Sequence, residues 1–194
     1  EAEERHGRFF AGLGSDDAIE ALHTRGGAGR LPALVVELDN LVAACRRAAA
    51  RSDGATAVAT LRAAWEVLER QGPFALGAAL GDQVLGLHGL DPSQRTAACL
   101  VRAVAARRLG RSAEAEPWIE EALTLSRDGG DASGEALALA QLGLLRQTQG
   151  RADESRAHLE AALALQRAAG HRRLVAGLCG NLANHCVFQG RLDE

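Results

Sequence analysis

Three Gly-Arg pairs, Gly110-Arg111, Gly150-Arg151 and Gly190-Arg191, stand at one constant interval along the chain. Such regular self-similarity marks an internal repeat, and the helical patterning between the pairs makes each unit one helix pair. Such a pair cannot bury its apolar face alone and must stack on its neighbours. The expected fold is therefore all-α, an α-solenoid of antiparallel helix pairs. Aligned on the Gly-Arg pairs, Ile119 falls on Leu159, Glu120 on Glu160, Ala122 on Ala162, Leu123 on Leu163, Leu125 on Leu165 and Gly130 on Gly170.

The segment Ala152–Ala169 reads as one helix, with Leu159, Ala162, Leu163 and Gln166 at helical spacing, Asp153 and Glu154 favouring its start and Gly170 its stop. Before it, Asp131 to Gln149 carries Leu139, Leu142, Leu145 and the small Gly143, with Asp131 or Ser133 as cap and Gly150 as terminator. The next copy, about Arg172 to Gln189, puts Leu174, Leu178, Leu182 and Ala183 in equivalent places. Ser93–Leu109 and Ala113–Arg127 form the first clear pair, with Pro117 expected in a first turn, where a missing N–H costs little.

Upstream the repeat decays: Gly72 stands close to one period before Gly110, but in different surroundings. Helices are expected at Leu31–Arg51, Thr56–Arg70 and Phe74–Leu87, then a turn from Gly89 to Pro92. A leading amphipathic helix, Glu1–Gly12, carries Phe9 and Phe10; a short helix, Asp16–His23, and a linker, Gly26–Arg30, follow. The chain thus divides into a leading helical segment and linker (1–30), degenerate helical repeats (31–90) and the regular repeats (91–194). The last copy stops where its second helix would begin, so the sequence reads as a piece of a longer protein.

Apolar residues make up 47% of the chain and aromatics 3%, so helices must approach on small side chains instead of around rings. A net charge of −3 gives neither the basic field that dominates nucleic-acid affinity nor a polybasic segment for a membrane surface, and no apolar run is long enough to span one. All 22 basic residues are Arg, which removes any lysine for a phosphate loop or Schiff base. Cys45, Cys99, Cys179 and Cys186 have no CxxC spacing and are expected as reduced thiols in a cytoplasmic protein.

No GxxxxGK[ST], GxSxG or HExxH motif occurs. Gly26 to Gly29 could cradle a phosphate, but a flexible linker is the preferred reading. Cys179, His185 and Cys186 offer soft ligands, yet Cys179 and His185 fall on different helix faces, and packing in or near the core is preferred over metal. His158 and His171 are expected at the surface, and the carboxylate pairs are expected to be solvated. The expectation is a non-enzyme with no cofactor and no metal.

Leu142-Gly143 and Leu182-Ala183 as apolar-small pairs, Gly150 and Gly190 as turns, and Leu159, Ala162, Ile119 and Ala122 as second-helix core together resemble the tetratricopeptide repeat (TPR). Arg146 and Cys186 stand where that family usually has an aromatic, and the period is 40 where its standard is 34. HEAT and armadillo repeats have the length but rank second, because neither Pro-kinked first helices nor a three-helix unit is visible.

Upstream, Glu37-Leu38-Asp39-Asn40-Leu41-Val42-Ala43-Ala44 resembles the E-x-D-N-hydrophobic segment opening the sensor repeats of bacterial STAND/NB-ARC-type signalling ATPases and transcriptional regulators. Arg5-His6-Gly7-Arg8-Phe9-Phe10 is similar to the end of their winged-helix portion. This resemblance implies an NTP-binding switch module N-terminal to Glu1. Local hydrogen bonding by Asp39 and Asn40 is the preferred reading of those two residues.

In the TPR register the concave face takes Val104, Arg107 and Arg108, then Leu144, Gln147 and Thr148, then Asn184, Val187 and Phe188. Arg107 and Arg108 read either as a grip on a partner's carboxylate or phosphate or as solvated cations at a helix end. The expected function is protein-protein interaction or effector sensing: binding a protein or peptide segment, or another domain of the parent, to regulate the N-terminal switch. A stand-alone or kinase-linked assembly scaffold is the alternative, and a helical enzyme with an unrecognised site is a third class. The face of Leu174, Leu178, Leu182 and Phe188 is expected to fray or to mediate weak self-association.

Overall fold

A computed structural model describes residues 1–24, 27–170 and 172–188. Its helices are α1 (Ala2–Gly12), α2 (Asp16–Leu22), α3 (Arg30–Val36), α4 (Leu38–Ala50), α5 (Gly54–Gln71), α6 (Phe74–Leu85), α7 (Pro92–Arg108), α8 (Ser112–Asp128), α9 (Ala132–Thr148), α10 (Ala152–Ala168) and α11 (Arg172–Phe188). No strand occurs among the described residues. Each helix from α4 to α11 packs on the next, and α5, α7, α9 and α11 also touch in succession. That is the contact pattern of an all-α solenoid in which α5/α6, α7/α8 and α9/α10 are stacked pairs.

The punctuation is finer than the Gly-Arg spacing suggests. Gly110, Gly130, Gly150 and Gly170 all sit in the left-handed region, with φ of 76°, 66°, 74° and 73°. At the first three, the N–H two residues past the cap reaches back to the third-last helical carbonyl: Arg111 to Ala106 at 2.9 Å, Asp131 to Ser126 at 2.8 Å, Arg151 to Arg146 at 2.9 Å. This closure satisfies carbonyls that the helix end leaves open. It recurs at half-period steps at the ends of α7, α8 and α9, and α7 to α10 each have 17 residues, so the two helices of a pair match in length. Gly190 lies outside the described residues.

Pairs lock where one helix offers no side chain. A Cβ on Gly143 would stand 2.8 Å from Leu159 Cγ and 3.1 Å from the Ser155 carbonyl, so α10 rests directly on the α9 backbone. Ala103 is the α7 equivalent, 1% exposed, opposite Ile119, also 1%. Gly77 does the same for the Trp65 ring, which a Cβ would meet at 2.4 Å.

Arg146 occupies the place where TPR units usually carry an aromatic. It is buried, and its guanidinium reaches Glu116 of α8 at 2.5 Å and Glu154 of α10 at 3.7 Å, tying one repeat to the next. That hydrogen bond to Glu116, above all, holds the Glu116 carboxyl below its usual range. Arg102 bridges similarly from α7 to Asp82 of α6 (2.6 Å) and Glu114 of α8 (3.4 Å).

Several expectations are corrected. The helix expected from Leu31 to Arg51 is broken at Glu37, which ends α3 and begins α4, and its carboxylate accepts from Asn40 Nδ2 at 2.7 Å. The break lets α3 and α4 pack on α5 as separate elements. Gly27 to Gly29 is not an open linker but a 3₁₀ turn, where a Cβ on Gly27 would lie 2.2 Å from the Leu22 carbonyl. Gly26 lies outside the described residues. Pro117 is the sixth residue of α8, beyond the first turn, and leaves the Ala113 carbonyl without its helical donor; neither residue is buried, so water can take that place. On α11, Leu178 is buried and Val175 and Leu182 pack against the core, so that stripe is turned inward; the Phe188 side chain lies outside what the structure describes.

Both kinds of contact can be tested by substitution. Gly143→Val should cost about 1–3 kcal/mol through overpacking against Leu159, read as a lower thermal midpoint by circular dichroism. Because the folded pKa of Glu116 is depressed, its contribution is complete above the unfolded value near ~4.3 and is lost as pH falls through the folded one. Glu116→Gln should therefore cost roughly 1–2 kcal/mol at neutral pH, a gap that closes in urea titrations as pH falls through the depressed folded value.

Candidate functional site: the face of the first helices

Along α9 most residues are buried, and the unburied ones after its first turn, Leu137, Gln141, Leu144, Gln147 and Thr148, form one stripe. Successive steps of three or four residues place them on one side of the helix. The corresponding positions of α7 are Ala97, Val101, Val104, Arg107 and Arg108, and those of α11 begin with Gly177, Asn181 and Asn184. These stripes lie side by side because the first helices pack in succession.

Between α9 and α11 the face sinks into a hollow of about 160 Å³. Ala136, Ala140 and Gly177 contribute almost no side chain to it, Leu137, Leu174 and Leu178 give apolar walls, and Gln141, Gln166 and Asn181 supply amides. Leu137 is 37% exposed, unusual for a leucine in this chain. The site is mostly apolar, with a few polar groups able to set the orientation of a ligand.

The residues expected on this face differ in what they can offer. Leu144 and Gln147 are half-buried, Asn184 is exposed and Val187 is 61% exposed. Val104 is 6% exposed and forms floor, not lining. Thr148 is exposed, but its hydroxyl donates to the Leu145 carbonyl at 2.7 Å. Arg108 lies over the Phe74 ring, 5.9 Å from its centroid, and pairs with Glu69 at 3.6 Å.

Arg107 is not a fully solvated helix-end cation. It is half-buried, donates from Nη2 to Gln141 Oε1 at 3.3 Å, and burial together with Arg108 pushes its pKa down. Sequence reasoning missed Leu137, Gln141, Leu174, Gly177 and Asn181 as lining. Stepping the stripe back from Leu144 by three and four residues would have found the first two.

The same stripe on α5 is covered. Ala59, Arg62, Glu66 and Glu69 occupy it, and Asp16 of α2 pairs with Arg62 at 2.6 Å while His23 Nε2 meets Glu66 at 3.1 Å. Gly14 approaches so closely that a Cβ would fall 1.7 Å from the Ala59 carbonyl. The leading segment closes this end, and the open face begins at α7.

No group of three or more His, Cys, Asp or Glu placed to hold a metal occurs among the described residues, and no described helix is long and apolar enough to cross a membrane. Cys179 is exposed, contrary to the expectation of core packing, and Cys186 is half-buried; the His185 side chain and His171 lie outside the described residues. His158 is half-buried, not a plain surface residue, and burial lowers its pKa. Cys45 and Cys99 are buried, and desolvation pushes their thiols up to about 11 and about 12.

Stacked antiparallel pairs with an open face along their first helices define a helical-repeat solenoid. Residues 93–168, which span α7 to α10, match the tetratricopeptide repeat family model, so this region is TPR-like. Repeats of this family generally mediate protein-protein interaction and are generally non-catalytic scaffolds. No curated protein matches the chain.

Thiol accessibility tests the packing on either side of this region. A maleimide added to native protein should modify Cys179 first and Cys186 more slowly, leaving Cys45 and Cys99 untouched until denaturant is added; peptide mapping by mass spectrometry checks the assignment.

Proposed function

We propose that the face formed by α7, α9 and α11 binds a segment of a partner protein, and that the chain has no catalytic role of its own. The observation that carries this reading is the exposed stripe on α9, where Leu137 borders an apolar hollow floored by Ala136, Ala140 and Gly177. A peptide side chain entering the hollow would bury apolar area on both partners, and Gln141 and Asn181 are placed to bond its backbone.

The proposal extends to regulation: binding on this face biases an NTPase switch N-terminal to it. Its support is the resemblance of Glu37 to Ala44 and of Arg5 to Phe10 to segments of STAND-type regulators. Coupling requires the segment to bind one switch state better than the other. Weak pairing of two copies through α11 is a competing use of the same end.

The test is a dodecapeptide selected on the wild-type chain from a random display library, followed by fluorescence anisotropy. Leu137→Glu should weaken the selected peptide by about tenfold or more, since it places a charge at the apolar wall, without lowering the thermal midpoint. Undiminished binding by that variant removes the groove reading. Sedimentation velocity with and without the peptide shows whether copies compete for the face. An NTP hydrolysis rate in the parent polypeptide that ignores the peptide removes the switch.

A further inference from the structure

Arg107 sits at the seam of three first helices, its own α7, α9 through Gln141, and α5, where Glu69 holds the neighbouring Arg108. Among the described residues no carboxylate lies within ion-pair distance of Arg107. Its direct polar contact is the neutral Gln141 side chain at 3.3 Å, and its Nε is buried without an acceptor. Among the described side chains, every other arginine that is buried or half-buried, Arg62, Arg95, Arg102, Arg146 and Arg156, has a carboxylate partner.

Glu69, which pairs with Arg108, attracts Arg107 only from beyond ion-pair distance, so this guanidinium, taken partly out of water, loses hydration that a neutral amide only partly replaces. Nothing in the packing of α7 against α8 uses its charge. Position 107 corresponds to Gln147 on α9, so the side chain belongs to the open face, and the apolar Leu137 and Leu144 stand on the adjoining α9 stripe one turn either side of its partner Gln141. An anion arriving there would meet a donor fork in a medium less screening than bulk solvent.

Resting on the groove reading above, we infer that Arg107 is the anchor for an aspartate or glutamate side chain of the bound segment, which lies across the α7–α9 seam with apolar residues toward Leu137. The preferred partner is thus an acidic-apolar peptide. Arg107 gives it register and charge preference, and the hollow beside α11 gives it apolar contact. Arg108, already held by Glu69 and Phe74, contributes little.

Parallel selections from one random dodecapeptide library on wild type and on Arg107→Gln provide the test. Wild-type binders should be enriched in Asp or Glu at one fixed distance from an apolar residue, and Arg107→Gln binders should lack that enrichment. For a wild-type binder, Arg107→Gln and the peptide's own acid-to-amide change should each weaken binding about tenfold, and the two together scarcely more than either alone. Arg108→Gln should change affinity less than threefold.

Binders that lose affinity with Leu137→Glu yet show no acidic enrichment overturn the Arg107 assignment and leave the groove intact. Failure to select any binder that Leu137→Glu weakens overturns the groove reading, and the anchor with it. Thermal melts accompany each variant. Were Arg107→Gln to unfold, Arg107→Lys, which keeps the charge but not the fork, should retain the acidic preference at reduced affinity; its loss of all preference overturns the inference.

Discussion

Backbone-to-side-chain contact at Gly143 sets how the paired helices meet, and much of the repeat region follows from it. With α10 resting on the α9 backbone through Leu159, the two axes lie closer than a larger residue would permit. Close axes leave little volume for rings, which accounts for buried positions such as Ala98, Ala103, Ala106, Ala122, Ala136 and Ala162 and for the low aromatic content. They also demand helices of equal length, because an overhang would expose apolar area without a partner. The glycine closures at the ends of α7, α8 and α9 meet that demand.

A core of alanines offers less apolar area per residue than one built of leucine and phenylalanine. The shortfall is where charged side chains take on structural work. Arg102 and Arg146 each reach from a first helix to the helices before and after it, so neighbouring repeats are joined by guanidinium bridges, at Arg146 in the place where TPR units usually carry a ring. Arginine suits this because its planar fork can serve two carboxylates at once. Arg146 also explains how the TPR-like unit tolerates a cation at a position the family usually fills with an aromatic: Glu116, from the preceding repeat, supplies the counter-charge that offsets the cost of burial.

What was legible in the sequence was what periodicity encodes. The Gly-Arg pairs and the alignment of Ile119 with Leu159 located α7 to α11 to within a residue or two, because a repeat states its pattern more than once. Glu37 states nothing twice: the run from Leu31 to Arg51 has helical residues throughout, and only packing of α3 and α4 on α5 as separate elements divides it. On the proposed face, the TPR register places Leu144, Gln147 and Thr148 on one side of α9, whereas the openness of Leu137 and the burial of Val104 depend on how closely the first helices stand together, a distance no residue records.

The difference between Arg107 and Arg108 shows where sequence reasoning ends. Adjacent, identical and both at the end of α7, they are indistinguishable by type and by helix-dipole argument. A rotation of about 100° between successive residues sends Arg108 toward Glu69 and Phe74 and leaves Arg107 facing Gln141. One charge is paired directly inside the fold, and the other has no carboxylate within ion-pair distance among the described residues. The covered stripe of α5 follows the same logic in reverse, since Asp16 and His23 meet Arg62 and Glu66 there. On this side of the first helices the charges of α5 and of Arg108 are paired, whereas Arg107, where the open face begins, has no carboxylate within ion-pair distance among the described residues.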